Sequence, residues 1–287
     1  MKLGAAQVVP EDLAKLTPGP VAFAAELGFE GLAWSTGNGV GPDRKHWKWL
    51  KSLAGMYGLS VCEVGVYSTN FLTDDEVVVG PWLDRVREAC EAAQFLVSDS
   101  GELPTAVIGC GSHNPAGGWF WDRRNFSEET RKNLVVNLGR VGQIGEAMGV
   151  NIALEGHVNV TACSGRVAAE MIREAGSSAL RVHLDPVNWM TLDECYDSVG
   201  FLRQLFDDVG SLAGSCHAKD AVVLDELITR VVECPPGAGC LDYPTFMSLA
   251  NELGPNQWMV IEHLPLDALA AAKDYVDRAI KTGIAAH

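Results

Sequence analysis

Three carboxylates and one imidazole stand at the ends of short apolar runs in the second half of this sequence. They are Glu155 in NIALEGH, Asp185 in RVHLDPVNW, His217 in GSCHAKD and Glu262 in WMVIEH. A helix-length segment separates each run from the next. Carboxylate oxygens combined with one imidazole nitrogen suit Mn²⁺, Mg²⁺, Co²⁺ or Zn²⁺. We therefore predict that these side chains bind one divalent metal ion.

A purely structural role explains this set poorly. One charged residue at the end of a strand is usually a buried or capping residue. Converging carboxylates without a counter-charge would repel each other and take up protons, and a divalent cation removes that cost.

The elements that must position these residues form a repeating pattern of apolar runs and amphipathic segments. Eight strand-like runs are present: Leu3–Val8, Gly31–Ser35, Ser60–Tyr67, Ala106–Cys110, Asn151–Glu155, Leu180–Asp185, Gly214–Ala218 and Met259–Glu262. The clearest predicted helices between and after them are Asp43–Tyr57, Ser127–Met148, Arg166–Ala175, Tyr196–Val209 and a last helix from Pro265 to about Lys281.

Strands that alternate with helices indicate a parallel sheet with right-handed crossovers. Eight such units in 287 residues favour a single α/β domain over residues 1–287, folded as a (β/α)8 TIM barrel. An open doubly wound sheet would instead carry a glycine-rich first turn, and the first turn here reads QVVPEDL. Two stretches, Gly109–Asn125 and Leu224–Leu241, read as irregular loops over the catalytic face.

Three polar residues follow the predicted ligands closely enough to reach the barrel mouth. His157 and Lys219 each come two residues after a ligand and share its facing. His157 fits a substrate contact, a second metal ligand or a rim histidine. Lys219 fits a contact to a sugar oxygen or phosphate, or a counter-charge for the carboxylates. Asn188 fits a hydrogen bond to a substrate hydroxyl, or an Asx-type turn.

Other polar residues near the predicted ligands have more than one interpretation. His183 shares the facing of Asp185 one layer deeper, which favours a hydrogen bond that supports the site. Asp220 could hold Lys219 in place. His263 should face away from the site, with a packing or loop role. Glu63, inside an apolar strand, either reaches the pocket or caps its own layer.

The loop after the fourth predicted strand, CGSHNPAGGWFWDRRNF, combines glycines with adjacent aromatic residues. Trp119, Phe120 and Trp121 fit a lid, a stacking platform for a substrate or a subunit contact, and burial against the outer helices is the alternative. His113 in the same loop is a candidate acid/base or substrate contact.

The overall composition excludes several classes of protein. A formal charge of −15, without a basic stripe, argues against nucleic-acid binding. No apolar run approaches a membrane span, and the N-terminus lacks the apolar region of a signal peptide, so we expect a cytoplasmic protein. The eight cysteines form no CxxC pair and are expected to be reduced.

These motifs resemble the xylose-isomerase-like barrel superfamily of sugar isomerases and epimerases, which also includes repair enzymes of the endonuclease IV type. The features that carry the resemblance are LEGH at 154–157, LDPVNW at 184–189, CHAKD at 216–220, PPGAGCLDY at 235–243 and VIEH at 260–263. The resemblance is closest over the second half of the chain.

The ligand spacing is similar to that of the ketose 3-epimerases, and this resemblance implies one Mn²⁺ or Co²⁺ on the four predicted ligands. It also implies that Glu155 and Glu262 are the catalytic acid/base pair. The metal would polarise a keto oxygen and the neighbouring hydroxyl, one glutamate would remove the proton between them, and the other would return a proton after an enediolate forms. The expected substrate is a keto-sugar or polyol, and Mn²⁺ is the expected ion.

This sequence departs from the ketose 3-epimerases at two sugar-contacting positions, with Asn188 in place of histidine and Val223 in place of arginine. The DPVN form resembles inosose dehydratases, hydroxypyruvate isomerases and the catalytic subunits of C-glycoside deglycosidases. A metal-dependent lyase is therefore the alternative function. The resemblance implies a homo-oligomer, or a complex with a small β subunit for a deglycosidase. A repair endonuclease would need three zinc ions, more histidines and a more basic chain.

Overall fold

A computed structural model describes residues 1–37, 44–97, 104–254 and 257–285 of the chain. The barrel strands within them are β1 (Lys2–Ala5), β2 (Gly31–Ser35), β3 (Ser60–Val66), β4 (Thr105–Ile108), β5 (Asn151–Glu155), β6 (Leu180–Leu184), β7 (Ala213–Ala218) and β10 (Trp258–Ile261). Two further strands, β8 (Asp220–Val223) and β9 (Val231–Cys234), lie outside the barrel sheet. The eight parallel strands close into a barrel in the order β1-β10-β7-β6-β5-β4-β3-β2. The predicted single (β/α)8 barrel is confirmed.

Helices pack around the outside of the barrel. Their bounds are α1 (Pro18–Glu26), α2 (Arg44–Met56), α3 (Glu76–Val97), α4 (Glu128–Met148), α5 (Gly165–Ala175), α6 (Leu192–Tyr196), α7 (Ser198–Val209), α8 (Tyr243–Glu252) and α9 (Leu269–Ala285). Helix α4 begins as predicted, because the Ser127 hydroxyl accepts a hydrogen bond from the Thr130 backbone N–H at 3.2 Å. The helix ends at Gly149, whose positive φ of 64° suits glycine.

The predicted bounds agree with the observed elements, with small differences at the ends. Strands β2 and β5 have the predicted bounds, and the first strand ends at Ala5, three residues early. Asp43, the predicted start of α2, lies outside the described residues. The last predicted helix is divided into a 3-10 turn at Leu266–Ala268 and then α9.

The prediction that Leu224–Leu241 is irregular was wrong in part. Strands β8 and β9 form an antiparallel hairpin separate from the barrel sheet. Strand β9, VVEC, is only half-buried and has little apolar periodicity, so its pairing with β8 is what defines it as a strand.

The barrel is filled tightly below its mouth. Gly31 has no side chain because a Cβ there would lie 2.5 Å from Cζ3 of the buried Trp258 ring. Among the described residues, no helix combines the length and the apolar character needed to cross a membrane.

Candidate metal centre

The predicted metal ligands meet at one rim of the barrel. Glu155 is the last residue of β5 and His217 lies near the end of β7, while Asp185 and Glu262 directly follow β6 and β10. Because these strands are parallel, their carboxyl ends share a face. One donor atom from each residue lies within 4.8 Å of the others, and all are at most 7% exposed. The predicted convergence is therefore observed.

The donor atoms surround a small shared space. Nδ1 of His217 lies 2.9 Å from Glu262 Oε1, 3.6 Å from Asp185 Oδ2 and 3.8 Å from Glu155 Oε1. His217 Nδ1, Asp185 Oδ2 and Glu262 Oε1 are buried and make no hydrogen bond of acceptable geometry. Buried polar atoms normally have a hydrogen-bond partner. Three oxygen or nitrogen donors aimed at one point fit a small divalent cation.

Burial and neighbouring charges shift the pKa values of these groups in different directions. Burial raises the pKa of the Glu155 carboxyl to about 8. Burial also opposes ionisation of Asp185, but the Lys219 ammonium and His217 together outweigh it and lower the pKa of Asp185 to about 2. For His217, burial opposes the charged ring, yet Glu262 and Glu63 together raise its pKa well above the ordinary value.

Lys219 is the cation that neutralises the carboxylates. Its Nζ lies 2.7 Å from Asp185 Oδ2 and 2.6 Å from Glu262 Oε1, which are ion-pair contacts without the angles of a directed hydrogen bond. Nζ also donates to Asn188 Oδ1 at 3.2 Å, and Asn188 Nδ2 donates to Glu155 Oε1 at 2.7 Å. The amide of Asn188 thus connects Glu155 to Lys219. Of the two predicted roles of Lys219, the structure supports the counter-charge.

An open pocket of about 480 Å³ lies above the ligands. Glu155 and Glu262 line it, whereas Asp185 and His217 are not among its lining residues. Four more side chains line the pocket: His157, Asn188, Lys219 and Trp119. These four are the predicted substrate contacts, apart from His113. The pocket can therefore present a small polar ligand to both glutamates.

Of the three adjacent aromatic side chains in the loop after β4, one lies in the pocket and two lie at the surface. Trp119 lines the pocket, and its ring stands edge-on to His157 with centroids 6.4 Å apart. Phe120 and Trp121 are 53% and 59% exposed. His113 is not brought to the pocket, because its Nε2 is hydrogen-bonded to Thr130 Oγ1 at 2.9 Å.

Two expectations for neighbouring residues need correction. His263 lines the pocket and does not face away, because its φ of 57° breaks the alternation of an extended chain. Its Nδ1 lies 3.0 Å from Glu233 Oε2. Asp220 does not hold Lys219. Its carboxylate instead accepts backbone N–H groups, from Ala221, Gly237, Gly239 and Leu241, and so organises the segment after β9.

Beneath the ligands lies a layer of buried polar groups that the sequence only hinted at. Glu63 is 2% exposed, and its Oε1 lies 3.3 Å from His217 Nε2. Burial would raise the pKa of Glu63, but His217, His183 and Tyr67 together outweigh burial and lower that pKa. His183 Nδ1 lies 2.6 Å from Ser215 Oγ, and its ring stands against that of His217 with centroids 4.0 Å apart. His183 therefore packs under the site as expected, but its hydrogen bond is to Ser215 and not to a predicted ligand.

Glu233 and Tyr67 line the pocket and were not predicted. Glu233 comes from the hairpin strand β9, which the sequence pattern did not reveal. Tyr67 is the last residue of a predicted strand, and alternation along that strand puts its side chain on the same face as Glu63. This shared face was the sequence signal from which its place in the pocket could have been predicted.

Comparison with known proteins agrees with the barrel fold. The profile of a family described as xylose isomerase-like TIM barrel matches residues 21–280. No curated protein shows a significant match. A xylose isomerase-like TIM barrel protein from Mycobacterium smegmatis, solved in complex with magnesium, is 13% identical, with 99% of this chain and 97% of that chain covered and a TM-score of 0.75.

Two further solved structures share the barrel. An L-ribulose 3-epimerase is 14% identical over 99% of this chain and 96% of that chain, with a TM-score of 0.74. A probable 3-DHS dehydratase from Bacillus anthracis is 16% identical over 96% of this chain and 99% of that chain, with a TM-score of 0.71. At these identities the likeness shows the fold alone.

Proposed function

Because the chain belongs to the xylose isomerase-like TIM barrel family, we propose that it is a divalent-metal-dependent enzyme that isomerises or epimerises a keto-sugar or polyol. The observation that carries this proposal is the set of buried donor atoms without hydrogen-bond partners, on Asp185, His217 and Glu262, directly below an open pocket. A barrel gains no stability from converging carboxylates, whereas an enzyme that removes a proton next to a carbonyl needs a metal and a base there.

Glu155, Asp185, His217 and Glu262 would hold the ion, and Mn²⁺ is the ion we propose. When bound, it would supply a Lewis acid for a carbonyl oxygen of the substrate. The magnesium complex of the Mycobacterium smegmatis protein makes Mg²⁺ the first alternative to test.

Glu155 and Glu262 are proposed to move the proton. Both reach the pocket, and they come from β5 and from the end of β10, with β6 and β7 between these strands in the barrel. A substrate between them would have one carboxyl group on each side. One removes the proton next to the carbonyl, and the other returns a proton to the opposite face or to the neighbouring carbon.

The pocket side chains are proposed to orient the substrate. The amide of Asn188 and the ammonium of Lys219 stand beside the glutamates and can bind sugar hydroxyls. The imidazole of His157 and the ring of Trp119 form an adjoining part of the wall. His113 lies outside the pocket and has no part in this proposal.

Solvent deuterium uptake tests the proposal directly. The Mn²⁺-loaded protein is incubated in D₂O with a panel of free keto-sugars and inososes, and loss of the C–H signal next to the carbonyl is followed by proton NMR. We expect uptake that falls by about 10²–10⁴-fold in Glu155→Gln and in Glu262→Gln, the usual effect of removing a general acid or base. Glu129→Gln, an exposed carboxylate in the first turn of α4, is the matched control.

The products distinguish the remaining possibilities. An isomer or epimer supports the proposal, whereas loss of water from the substrate indicates the lyase alternative. Metal binding without deuterium uptake from any substrate in the panel would contradict proton abstraction at this site.

A further inference from the structure

Glu63 and His217 meet across the interior of the barrel. They belong to β3 and β7, which lie four strands apart in either direction around the closed sheet. The contact of 3.3 Å between Glu63 Oε1 and His217 Nε2 therefore spans the lumen, and both side chains are at most 2% exposed. A charged residue in such a place is costly unless it has a defined partner.

The register of β3 is irregular beside Glu63. The register between β2 and β3 shifts after Leu32, so that Ala33 pairs with Glu63 and Cys62 is the extra residue. Cys62 packs into a buried cluster with Ala33 and Trp258, while Glu63 lies against His217. Irregularities of this kind are common beside functional sites, where they change the direction of a side chain.

Tyr67 also holds the Glu63 carboxylate in place. Its hydroxyl donates a hydrogen bond to Glu63 Oε1, and its ring lines the pocket. Gly65 leaves room for that ring, because a Cβ at Gly65 would lie 2.1 Å from Tyr67 Cε2. In the sequence EVGVY at 63–67, the Tyr67 ring therefore packs over Gly65, and its hydroxyl fixes the Glu63 carboxylate.

We propose that Glu63 is the positioning residue of the metal centre: by accepting a hydrogen bond from His217 Nε2–H, it leaves Nδ1 free to bind the ion, and Tyr67 holds Glu63 for this task. A neutral imidazole carries its proton on one nitrogen and can bind a metal only through the other. Nδ1 is the atom that faces Glu155, Asp185 and Glu262. A carboxylate behind a ligating histidine also fixes the ring orientation and raises its basicity.

The main alternative is a second ion below the first. Glu63, His183 and His217 could each direct one donor atom at such an ion, and Glu63 Oε2 and His183 Nε2 lack hydrogen-bond partners. That arrangement would require His217 to lose both ring protons. We therefore assign Glu63 to orientation of His217 and not to a second ion.

The inference rests on the metal of the proposed function, so its test measures binding and tautomer without turnover. Metal-free protein is titrated calorimetrically with Mn²⁺ and with Zn²⁺, in the wild type and in Glu63→Ala, Glu63→Gln and Tyr67→Phe. Tyr243→Phe is the matched control, because it also removes a buried tyrosine hydroxyl, one that donates to the Lys219 carbonyl oxygen at 2.7 Å. Circular dichroism confirms that each variant folds.

We expect one ion per wild-type chain and affinity about 10–100-fold weaker in Glu63→Ala. The loss should be smaller in Glu63→Gln, which keeps an acceptor oxygen, and in Tyr67→Phe. In the Zn²⁺-loaded protein labelled with ¹⁵N-histidine, His217 should show a protonated Nε2 with a downfield, slowly exchanging proton. In Glu63→Gln that proton should move upfield and exchange faster with solvent.

Three results would overturn the role of Glu63. The first is equal affinity and an unchanged His217 signal in both Glu63 variants. The second is a Zn²⁺-bound Nε2, and the third is a second ion that is lost in Glu63→Ala. A wild-type chain that binds no ion would also refute the metal of the proposed function, which distinguishes that failure from the first three.

Discussion

The ammonium of Lys219 lies 2.6 Å from Glu262 Oε1, the oxygen that also lies 2.9 Å from His217 Nδ1. A fixed positive charge is therefore placed beside an oxygen that we assign to the metal. Lys219 is buried at the edge of the pocket, in contact with carboxylates and Asn188, so water screens its charge only weakly.

Replacing Lys219 with methionine should weaken the metal-free fold and strengthen metal binding. Removal of one partner of a buried ion pair costs about 3–5 kcal/mol, because the remaining carboxylates lose their counter-charge. The same change leaves a more negative site, so Mn²⁺ affinity should rise by at least about tenfold. Thermal unfolding with and without Mn²⁺, together with calorimetric titration, measures both effects.

Lys273→Met provides the control for that variant, since Lys273 is also largely buried and pairs with Asp277 at 2.7 Å on helix α9. It should lower stability without changing metal affinity. Weaker Mn²⁺ binding in Lys219→Met would mean that Lys219 orders the ligands more than it repels the ion.

Metal affinity should increase with pH. Burial raises the pKa of Glu155 to about 8, and the carboxylates around His217 outweigh burial and raise the pKa of the ring well above its ordinary value. A protonated ligand must lose its proton before it binds the ion. Both groups therefore compete with the metal at low pH, and the apparent dissociation constant should fall from about pH 6 to about pH 8.

Calorimetry in buffers of different ionisation enthalpy would count the protons released at each pH. We expect at least one proton per ion near pH 7. An affinity that is constant over this range, with no proton release, would contradict the pKa shifts of Glu155 and His217.

The sequence predicted the convergence of the four proposed ligands because that convergence depends on a simple rule. A residue at the carboxyl end of a parallel strand lies at the same rim as its counterparts, whatever the loops do. Glu155, Asp185, His217 and Glu262 followed that rule, and alternation along the strands also placed His157 and Lys219 in the pocket.

The rest of the site escaped prediction where the backbone departs from regular alternation. Glu63 lies at a register shift in β3 and contacts His217 across the barrel, and the positive φ of His263 turns that residue into the pocket. Glu233 depends on a hairpin whose strands pair only with each other. Such features arise from tertiary packing, which no local periodicity encodes.

Asp220→Asn should destabilise the segment that follows β9. The carboxylate accepts four backbone N–H groups, and an amide can accept with only one oxygen while its NH₂ group faces donors. Each buried donor left without a partner costs about 1–3 kcal/mol. Limited proteolysis and thermal unfolding should show earlier cleavage near residues 235–241 and a lower melting temperature.

Asp225→Asn is the matched control for Asp220→Asn, because Asp225 is exposed in the turn of the same hairpin. It should leave both measurements unchanged. Equal behaviour of the two variants would show that the carboxylate of Asp220 does not organise this segment.

Gly65→Ala and Gly55→Ala should change stability in opposite directions. A Cβ at Gly65 would meet the Tyr67 ring at 2.1 Å, so the ring must move and its hydroxyl must leave Glu63. We expect a loss of about 1–3 kcal/mol in the free energy of unfolding, the usual cost of overpacking.

Gly55 lies in α2 with open space around it, so alanine there should add about 0.4–1 kcal/mol to the free energy of unfolding. Urea denaturation measures both values, and Gly65→Ala should also bind Mn²⁺ more weakly, as we expect for Tyr67→Phe. If Gly65→Ala were as stable as the wild type, the Tyr67 ring would not occupy the place beside Gly65 from which it holds Glu63.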